Sequence, residues 1–221
     1  MLTKGGAGVS DVTIIGAGNM ARGIGSRLAA SGVEVQIRAP TAAHAQSLAE
    51  ELADGGGSAT GQGMEGPLSG DVVVLATPYD GALAVTEQRR DELAGRVVVD
   101  ITNPVDWSSF DRLVTPPDSS AAEEIARQLP DSRVVKAFNT TFAGTLPAGE
   151  VAGQPLDVLI AGDDDEAKAR VAALVEAGGM RPIDTGPLRR ARQLEQLGFL
   201  HMVLQDRLGT SYGSAVKFLG P

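Results

Sequence analysis

Residues 11–23 of the chain read DVTIIGAGNMARG, a β-branched run that passes directly into a glycine-rich turn. The turn matches the pattern G-x-G-x-x-A, with Gly16, Gly18 and Ala21 at the fixed positions. In a dinucleotide-binding fold the first glycine allows the sharp turn, the second lets the backbone approach a pyrophosphate, and the small third residue permits close packing of helix and strand. The stretch therefore predicts a strand, a turn and a helix whose N-terminal amides face phosphate.

Further β-branched runs recur along the chain between amphipathic segments. Two of them, 72–75 and 97–99, are continuously apolar, which is typical of parallel strands that helices cover on both faces. We therefore predict an α/β fold, a doubly wound parallel Rossmann sheet with a small C-terminal α/β appendage packed on the sheet. The predicted strands are 11–15, 33–38, 71–76, 96–100, 133–137, 156–161 and 180–184, with a further short strand near 58–60.

Prolines, glycines and capping residues mark the helix boundaries. Ser120 and Glu123 have the spacing of a capping box, which predicts that a helix begins there. The predicted helices are 21–31, 41–52 and 120–129, followed by one that starts at the acidic run 163–165 and one that starts near 187. The predicted organisation is a flexible tail over 1–10, a Rossmann domain over 11–154 and a small C-terminal α/β segment over 155–221.

The composition excludes several classes of function. With 28 acidic and 19 basic residues in a chain of 221, the formal net charge is −9, which argues against a nucleic-acid or anionic-membrane partner. The absence of cysteine excludes disulfides and thiolate metal sites. No run approaches the roughly 18 apolar residues of a membrane span, and residues 1–10 lack the apolar core of a signal peptide. We expect a cytoplasmic protein with small-molecule partners.

The end of the second predicted strand indicates which dinucleotide binds. An NAD site usually has an acidic residue there, which accepts from the ribose 2′-hydroxyl and repels a 2′-phosphate. This chain has Arg38 instead, with His44 on the following helix as a second donor. A cation at this place favours NADP, although a solvated strand-end charge and an exposed helix residue would also explain the two side chains.

Three more strand ends are expected at the same crevice, because ligands of open α/β sheets bind beyond the carboxyl ends of the strands. Thr77 and Asn103 are placed to hydrogen-bond the nicotinamide ribose or carboxamide, and a turn-stabilising role explains them equally well. The polar cluster around Asn139, between aromatic residues, suits the edge of a nicotinamide pocket, although ordinary helix capping would also explain it.

The sequence contains no HExxH, P-loop or G-x-S-x-G motif and no metal-ligand spacing. We interpret His201 as a packing residue, 163–165 as acids that favour a helix start, and Lys136 as a weak candidate for acid–base chemistry. No catalytic residue and no metal ligand is therefore predicted. A dehydrogenase of alcohols needs a group that moves the hydroxyl proton, whereas hydride exchange between two bound cofactors requires only that two rings are held together and water is excluded.

Four segments carry a resemblance to a known family. They are 16–23 (GAGNMARG), 161–168 (AGDDDEAK), 181–188 (RPIDTGPL) and the closing 217–219 (KFL). In these segments the chain resembles the F420H2:NADP oxidoreductases, also called NADPH-dependent F420 reductases, and the similarity extends over nearly the whole chain. The resemblance implies an NADP-binding Rossmann domain, a C-terminal segment that completes the pocket of the deazaflavin coenzyme F420, a homodimer, and direct hydride transfer between the two coenzymes.

The resemblance also implies roles for individual residues. The pyrophosphate turn matches Gly18, Asn19 and Met20. The predicted cofactor-binding residues also include Gly16 and Ala17 of the same glycine-rich turn. The loop beside the adenosine and ribose matches Thr77 and Pro78. Ala76, at the strand end that precedes them, is also predicted to bind the cofactor. The segment that lines the nicotinamide and the deazaflavin matches Asn139, Thr141 and Ala143, and the far wall of the deazaflavin pocket matches 213–216.

This sequence departs from the family pattern at two places, where Ala17 replaces a threonine and Ala39-Pro40 replaces Ser-Arg. The segment 136–140 is also similar to the cytoplasmic domains of membrane ferric reductases, which use a flavin. Two alternatives therefore stay open: an NADPH-dependent flavin or ferric reductase, and a non-catalytic module that senses NADPH. A β-hydroxyacid or imine dehydrogenase is disfavoured, because the last 65 or so residues cannot supply its all-helical second domain.

Overall fold

The structure is a computed structural model that describes residues 12–220, so the predicted tail over 1–10 lies outside the described residues. The strands are β1 (Val12–Ile15), β2 (Glu34–Ala39), β3 (Ser58–Gly63), β4 (Val72–Leu75), β5 (Val97–Asp100), β6 (Arg133–Lys136), β7 (Glu150–Val151), β8 (Gln154–Pro155), β9 (Asp157–Gly162) and β10 (Arg181–Asp184). The helices are α1 (Asn19–Ala30), α2 (Ala42–Asp54), α3 (Tyr79–Gln88), α4 (Arg90–Leu93), α5 (Ala121–Gln128), α6 (Asp165–Ala177), α7 (Ala191–Val203) and α8 (Gln205–Leu208), with a 3₁₀ turn at Leu188–Arg190.

Eight strands form one sheet in the order β10-β9-β6-β5-β4-β1-β2-β3, and β7 pairs with β8 in a separate hairpin. Neighbouring strands along the part of the sheet ordered β6-β5-β4-β1-β2-β3 are all parallel, which confirms the Rossmann arrangement. The appendage differs from the prediction. Instead of packing on the sheet, β9 and β10 extend it, and β9 runs antiparallel to β6.

The reversal at β9 follows from how the chain leaves β6. A parallel neighbour would need a crossover helix to bring the chain back to the starting end of the sheet. Between β6 and β9 the chain forms turns and the short β7–β8 hairpin, with no helix in this described stretch. It therefore enters β9 near the end where β6 finished and runs in the opposite direction.

The alternation of strand side chains divides the core into two layers. Val72 and Val74 of β4 pack in the layer that contains apolar residues of α1, α2 and α6. Val73 and Leu75 face the other way and pack with residues of α3, α4 and α5. Because successive strand side chains point to opposite faces, a continuously apolar strand requires cover on both sides, and the structure provides it.

Two helix starts follow the sequence prediction in atomic detail. The Ser120 hydroxyl accepts from the Glu123 amide at 3.2 Å, and the Asp164 carboxylate accepts from the Ala167 amide at 2.7 Å. The acidic run 163–165 thus caps α6, and no cluster of three or more metal-ligating side chains occurs among residues 12–220. Sequence analysis did not predict α3, whose first turn contains Gly81 directly after the Pro78 turn.

Candidate active site

The first glycine of the motif has two structural reasons to lack a side chain. Gly16 adopts φ +130°, and a Cβ atom added to it would lie 2.2 Å from the carbonyl oxygen of Ala76 at the end of β4. Its amide donates to the carbonyl oxygen of Arg38 at 2.7 Å, which ties the turn to β2. The turn after β1 is therefore packed between the ends of both neighbouring strands, and any larger residue would separate them.

The second glycine leaves the start of α1 open. Gly18 is the N-cap residue, no side chain caps the helix, and its first turn contains no acid. A Cβ atom at Gly18 would meet nothing within 4 Å. Nearby, the Asn19 amide oxygen accepts from Arg22 at 3.1 Å, and Arg22 pairs with Glu51 at 2.8 Å. The uncapped amides and the positive end of the helix dipole leave this end of α1 suited to an anion.

A cavity of about 1050 Å³ opens at the carboxyl ends of the parallel strands. It begins at the N-terminus of α1, passes the ends of β4, β5 and β6, and reaches the C-terminal residues Met202 and Tyr212. Of the predicted site residues, the lining includes Gly18, Asn19, Met20, Ala76, Thr77, Pro78, Asn103, Asn139, Thr141 and Ala143. It does not include Gly16, Ala17, Arg38 or His44.

Two amides join the strand ends inside the cavity. Asn103 donates to the Asn139 carbonyl oxygen at 2.7 Å, and the Asn139 side chain donates to the Asn103 amide oxygen at 2.9 Å. Asn139 also donates to the Leu194 carbonyl oxygen at 2.8 Å, so α7 is bound to the same pair. A Cβ atom on Gly198 would lie 2.7 Å from the Asn103 amide oxygen, which explains how α7 packs so closely.

Three polar atoms of the cavity lining have no hydrogen-bond partner. They are Thr77 Oγ1, Thr102 Oγ1 and Asn139 Oδ1, and each is buried from solvent. An unpaired buried polar group costs free energy, about 1–3 kcal/mol, and such groups are rare in folded proteins. The two donor hydrogens of the Asn139 amide are already used, so its buried oxygen is the part of this amide that has no partner.

Arg38 lies elsewhere than the sequence predicted. Its side chain is 1% exposed, and its guanidinium donates to the carbonyl oxygens of Gly63, at 2.8 Å, and Pro67. Burial and the neighbouring charge of Arg89 lower its pKa. The alternation along β2 explains the difference: Ile37 faces the α1–α2 layer, so Arg38 faces the opposite side and binds the β3–β4 connection. The expectation of a free cation at the strand end is corrected.

The exposed groups after β2 are different ones. Pro40, Thr41 and His44 are exposed, and Thr41 occupies the N-cap position of α2 without a side-chain capping bond. The first turn of α2 contains no acid. His44 therefore stands at an open helix start beside the strand end, as predicted, but outside the lining of the main cavity.

A buried ion cluster behind the cavity wall was not predicted. Lys136 donates to Asp100 at 2.7 Å, to Glu195 at 2.8 Å and to the Thr102 carbonyl oxygen at 2.5 Å. The three charged side chains are at most 1% exposed. Burial alone would lower the pKa of Lys136, but the two carboxylates raise it overall, while burial raises the pKa of Glu195. Lys136 is thus a structural cation with all three of its donor hydrogens used, and it is not part of the cavity lining.

The C-terminal segment forms an aromatic wall. Phe142 stacks on His201 at a centroid distance of 4.1 Å and meets Tyr212 edge-on at 5.0 Å. His201 Nε2 lies 2.8 Å from the Ser214 hydroxyl, and burial lowers the pKa of His201, so the ring is neutral near pH 7. This geometry supports the interpretation of His201 as a packing residue.

One buried carboxylate fastens the end of the chain to the sheet. Asp157 at the start of β9 accepts from Lys217 at 2.6 Å and from the Phe218 amide at 2.8 Å, and it pairs with Arg181. Burial opposes ionisation, yet these donors hold the pKa of Asp157 below its ordinary value. The closing segment that carried part of the family resemblance therefore has an ordered place against β9 and β10.

Residues 11–104 match the family model described as NADP oxidoreductase coenzyme F420-dependent. The F420-dependent NADP reductase of Methanothermobacter marburgensis is 32% identical over 197 residues, which covers 82% of this chain and 86% of that protein. The chain belongs to the F420-dependent NADP reductase family. The resemblance inferred from the four sequence segments is thereby confirmed.

Other members and relatives differ in how much of them the chain covers. The F420-dependent NADP reductase of Methanocaldococcus jannaschii is 38% identical over 134 residues, and the match spans 59% of that protein. The rat metalloreductase STEAP3 is 33% identical over 186 residues, but the match spans only 36% of its length. A solved structure from Arthrobacter sp. FB24, assigned as an F420-dependent NADP reductase, superimposes with a TM-score of 0.80 at 28% identity, covering 96% of this chain and all of that one.

The side chains of the cavity wall agree with membership of this family. The ionisable side chains in the described lining are Tyr79, Asp80, Asp106 and Tyr212, with no lysine, arginine or histidine. Burial, with nearby carboxylates, raises the pKa of Tyr79 to about 12, so its hydroxyl stays protonated at neutral pH. Over residues 12–220, no helix is long and apolar enough to cross a membrane.

Proposed function

We propose that this chain transfers a hydride directly between NADP(H) and the deazaflavin coenzyme F420. The observation that carries the proposal is a continuous cavity of about 1050 Å³ that runs from the glycine turn of α1 to the C-terminal aromatic wall. Pockets for one small ligand occupy about 300–1000 Å³. A cavity at or above the upper end of this range, built from both parts of the chain, has room for the nicotinamide end of a dinucleotide and a second ring.

The residues at the start of the cavity fit a dinucleotide. The uncapped N-terminus of α1 offers amides to the pyrophosphate, and Gly18 lets the phosphate oxygens approach. Thr77 Oγ1 and Asn139 Oδ1 belong to residues of the cavity wall and have no partner, which supports our assignment of these residues to the nicotinamide ribose and carboxamide. The Asn103–Asn139 pair holds that acceptor in one orientation because both donors of the Asn139 amide are already engaged.

The chemistry then requires little more than position. When bound, the two coenzymes supply the hydride donor and acceptor, and the electron pair moves together with the hydrogen. No side chain has to move a proton in that step. This suits a described lining that contains no lysine and in which Tyr79 stays protonated, while Lys136 is held between two carboxylates. The protein contributes orientation and exclusion of water by the walls around Phe142 and Tyr212.

The preference for NADP is supported by a revised set of groups. With Arg38 occupied by backbone carbonyls, the 2′-phosphate is assigned to the open start of α2, where Thr41 and His44 are exposed and no acid repels it. The helix dipole favours an anion there. NADP over NAD remains the preference, carried by the absence of an acid in the first turn of α2 and at the end of β2.

We also propose that the protein is a homodimer and that the two parts of the chain bind different coenzymes. The segment 155–221 completes the acceptor pocket through Met202 and Tyr212, while 12–154 supplies the dinucleotide site. Leu200, Val203 and Leu208 expose apolar surface along α7 and α8, which supports a homodimer. Sedimentation velocity tests the dimer, and cell fractionation tests the cytoplasmic location.

Stopped-flow hydride transfer tests the reaction itself. Purified protein is mixed with NADPH or NADH and with F420, FMN or FAD as separate acceptors. We expect transfer to F420 with NADPH, faster than with NADH. Transfer to FMN or FAD but not to F420 would support the alternative of a flavin or ferric reductase. The similarity to a metalloreductase is the observation that favours this alternative. Stoichiometric NADPH binding without transfer to any acceptor would identify a sensing module.

A further inference from the structure

A large aromatic side chain stands at the mouth of the cavity with no partner on most of its surface. Trp107 lines the cavity, yet it is 70% exposed to solvent. It is the only tryptophan of the chain. A tryptophan packed inside a protein buries about 150–250 Å² of surface, so leaving this ring in water forgoes a large hydrophobic gain. Exposed aromatic surface beside a pocket is typical of a ligand contact.

The loop that presents Trp107 is rigidly built. The Asp106 carboxylate accepts from the Ser108 amide at 3.0 Å, from the Ser108 hydroxyl at 2.6 Å and from Arg112 at 2.9 Å. These hydrogen bonds hold the pKa of Asp106 far below its ordinary value. The Asp106 amide and carbonyl also bond to the backbone of Arg112 and Phe110, at 2.9 and 2.7 Å. The turn is therefore fixed on both sides of Trp107 before any ligand arrives.

Aromatic packing supports the indole from one side. The ring centroids of Trp107 and Phe110 lie 5.7 Å apart, and Phe110 meets Phe199 of α7 edge-on at 5.8 Å. Phe110 adopts φ +50°, a left-handed conformation that costs free energy in a bulky residue. The loop thus has a strained backbone at Phe110, whose ring packs against one side of the indole. The rest of the Trp107 ring stays exposed at the cavity.

The position of the loop in the sheet indicates which coenzyme the ring meets. The glycine turn follows β1, and the Trp107 loop follows β5, with β4 between them. Through Phe199 the loop is joined to α7, whose residue Met202 lines the cavity. Trp107 therefore lies toward the acceptor side, away from the pyrophosphate.

We propose that Trp107 is the stacking surface for the flat ring system of the hydride acceptor, setting the affinity and orientation of the acceptor and not those of the dinucleotide. This inference rests on the proposed function. Stacking of a flat heteroaromatic ring on an aromatic side chain is worth about 1–3 kcal/mol, which corresponds to roughly a 5- to 150-fold change in the acceptor Kd.

The experiment compares the wild type with Trp107→Ala and Trp107→Phe, and uses Leu219→Ala as the matched control because Leu219 is an exposed apolar residue outside the cavity lining and outside the apolar surface of α7 and α8. Kd values for F420 and NADPH are measured by calorimetry, and steady-state KM and kcat are measured for each coenzyme. In the wild type, the emission of the single tryptophan is followed during F420 titration.

We expect F420 to quench the emission of Trp107. We expect Trp107→Ala to raise the F420 Kd and KM by about tenfold or more, Trp107→Phe to restore most of the affinity, and the NADPH Kd to change less than twofold. An unchanged F420 KM in Trp107→Ala overturns the inference while the wild-type activity still supports the proposed function. A weaker dimer with unchanged F420 affinity would also overturn it, by assigning Trp107 to the subunit interface. Absence of wild-type F420 turnover would instead refute the proposed function.

Discussion

Replacing Lys136 by methionine tests the energetic weight of the buried ion cluster. The substitution puts an unbranched apolar side chain of similar volume, one heavy atom shorter, in place of the lysine. It leaves Asp100 and Glu195 as two carboxylates that are at most 1% exposed and have lost the lysine counter-ion. Removing one partner of a buried ion pair costs about 3–5 kcal/mol. For a domain of this size each kcal/mol shifts Tm by about 2–4 °C, so Tm is expected to fall by about 6–20 °C.

A second lysine provides a matched control. Lys168 also bridges two carboxylates, Asp165 and Asp184, at 3.0 and 2.8 Å, but these acids are 95% and 58% exposed. Exposed pairs contribute about 0–1 kcal/mol, because water and salt screen them. Lys168→Met should therefore lower the free energy of unfolding by less than about 1 kcal/mol, although it removes the same charge and the same number of ion pairs.

The pH dependence of Lys136→Met has a definite direction. Burial already raises the pKa of Glu195 in the folded protein, and without the ammonium group of Lys136 the charge of Asp100 is no longer offset, so the pKa of Glu195 lies further above its value in the unfolded chain. The folded variant then binds more protons than the unfolded chain, so its stability increases as the pH falls toward the unfolded carboxyl pKa values near 4. The difference in unfolding free energy between wild type and variant should be largest at neutral pH and should narrow as the pH falls from neutral toward the unfolded carboxyl pKa near 4.

Urea denaturation followed by circular dichroism, repeated across that pH range, measures this difference. Adding Glu195→Gln to Lys136→Met removes one of the two buried charges while an amide oxygen can still accept from Ala121, whose amide lies 3.0 Å from Glu195. The double variant should therefore be more stable than Lys136→Met alone. A loss below about 1 kcal/mol in Lys136→Met, or a difference independent of pH, would refute the account of the cluster as a desolvated ion triad.

Three further predictions concern the cofactor site and the C-terminus. Gly16→Ala should prevent stable folding, since its Cβ would overlap the Ala76 carbonyl oxygen at 2.2 Å. Gly18→Val should keep the wild-type Tm, because the Cβ position is open, and should raise the NADPH Kd at least tenfold. Equal losses of Tm in the two variants would contradict these roles of the two glycines. Arg38→Gln should destabilise by about 1–3 kcal/mol, the cost of unpaired buried groups, without changing the NADPH:NADH preference; a selective loss of NADPH affinity there would restore the 2′-phosphate role to Arg38. Asp157→Asn should remove, at neutral pH, the stability that the lowered pKa of Asp157 supplies. The wild type has this stability above the unfolded carboxyl pKa and loses it as the pH falls through the lower folded pKa. The unfolding free energies of wild type and variant should therefore converge in acid and diverge above about pH 4.

Local signals in the sequence were sufficient for most of the fold. The glycine turn, the apolar runs that become β4 and β5, and the Ser120 cap each depend on residues a few positions apart, and each lies where it was predicted. Ten of the fourteen predicted site residues line one cavity for a related reason. In a doubly wound sheet the carboxyl ends of the parallel strands are brought to one edge by topology, so residues that follow strands converge there.

The tertiary structure decided what depends on partners distant in the chain. Whether Arg38 meets a ligand or the carbonyl oxygens of the β3–β4 connection was set by which sheet face its position occupies and by a loop about 25 residues away. The direction of β9 was set by the route of the chain after β6, and the pairing of Lys136 with Glu195 by the docking of a helix 59 residues later. Hydrogen bonding and burial depend on which groups come into contact in the folded chain. Periodicity along the chain predicts local structure and does not predict contacts between residues that are distant in sequence.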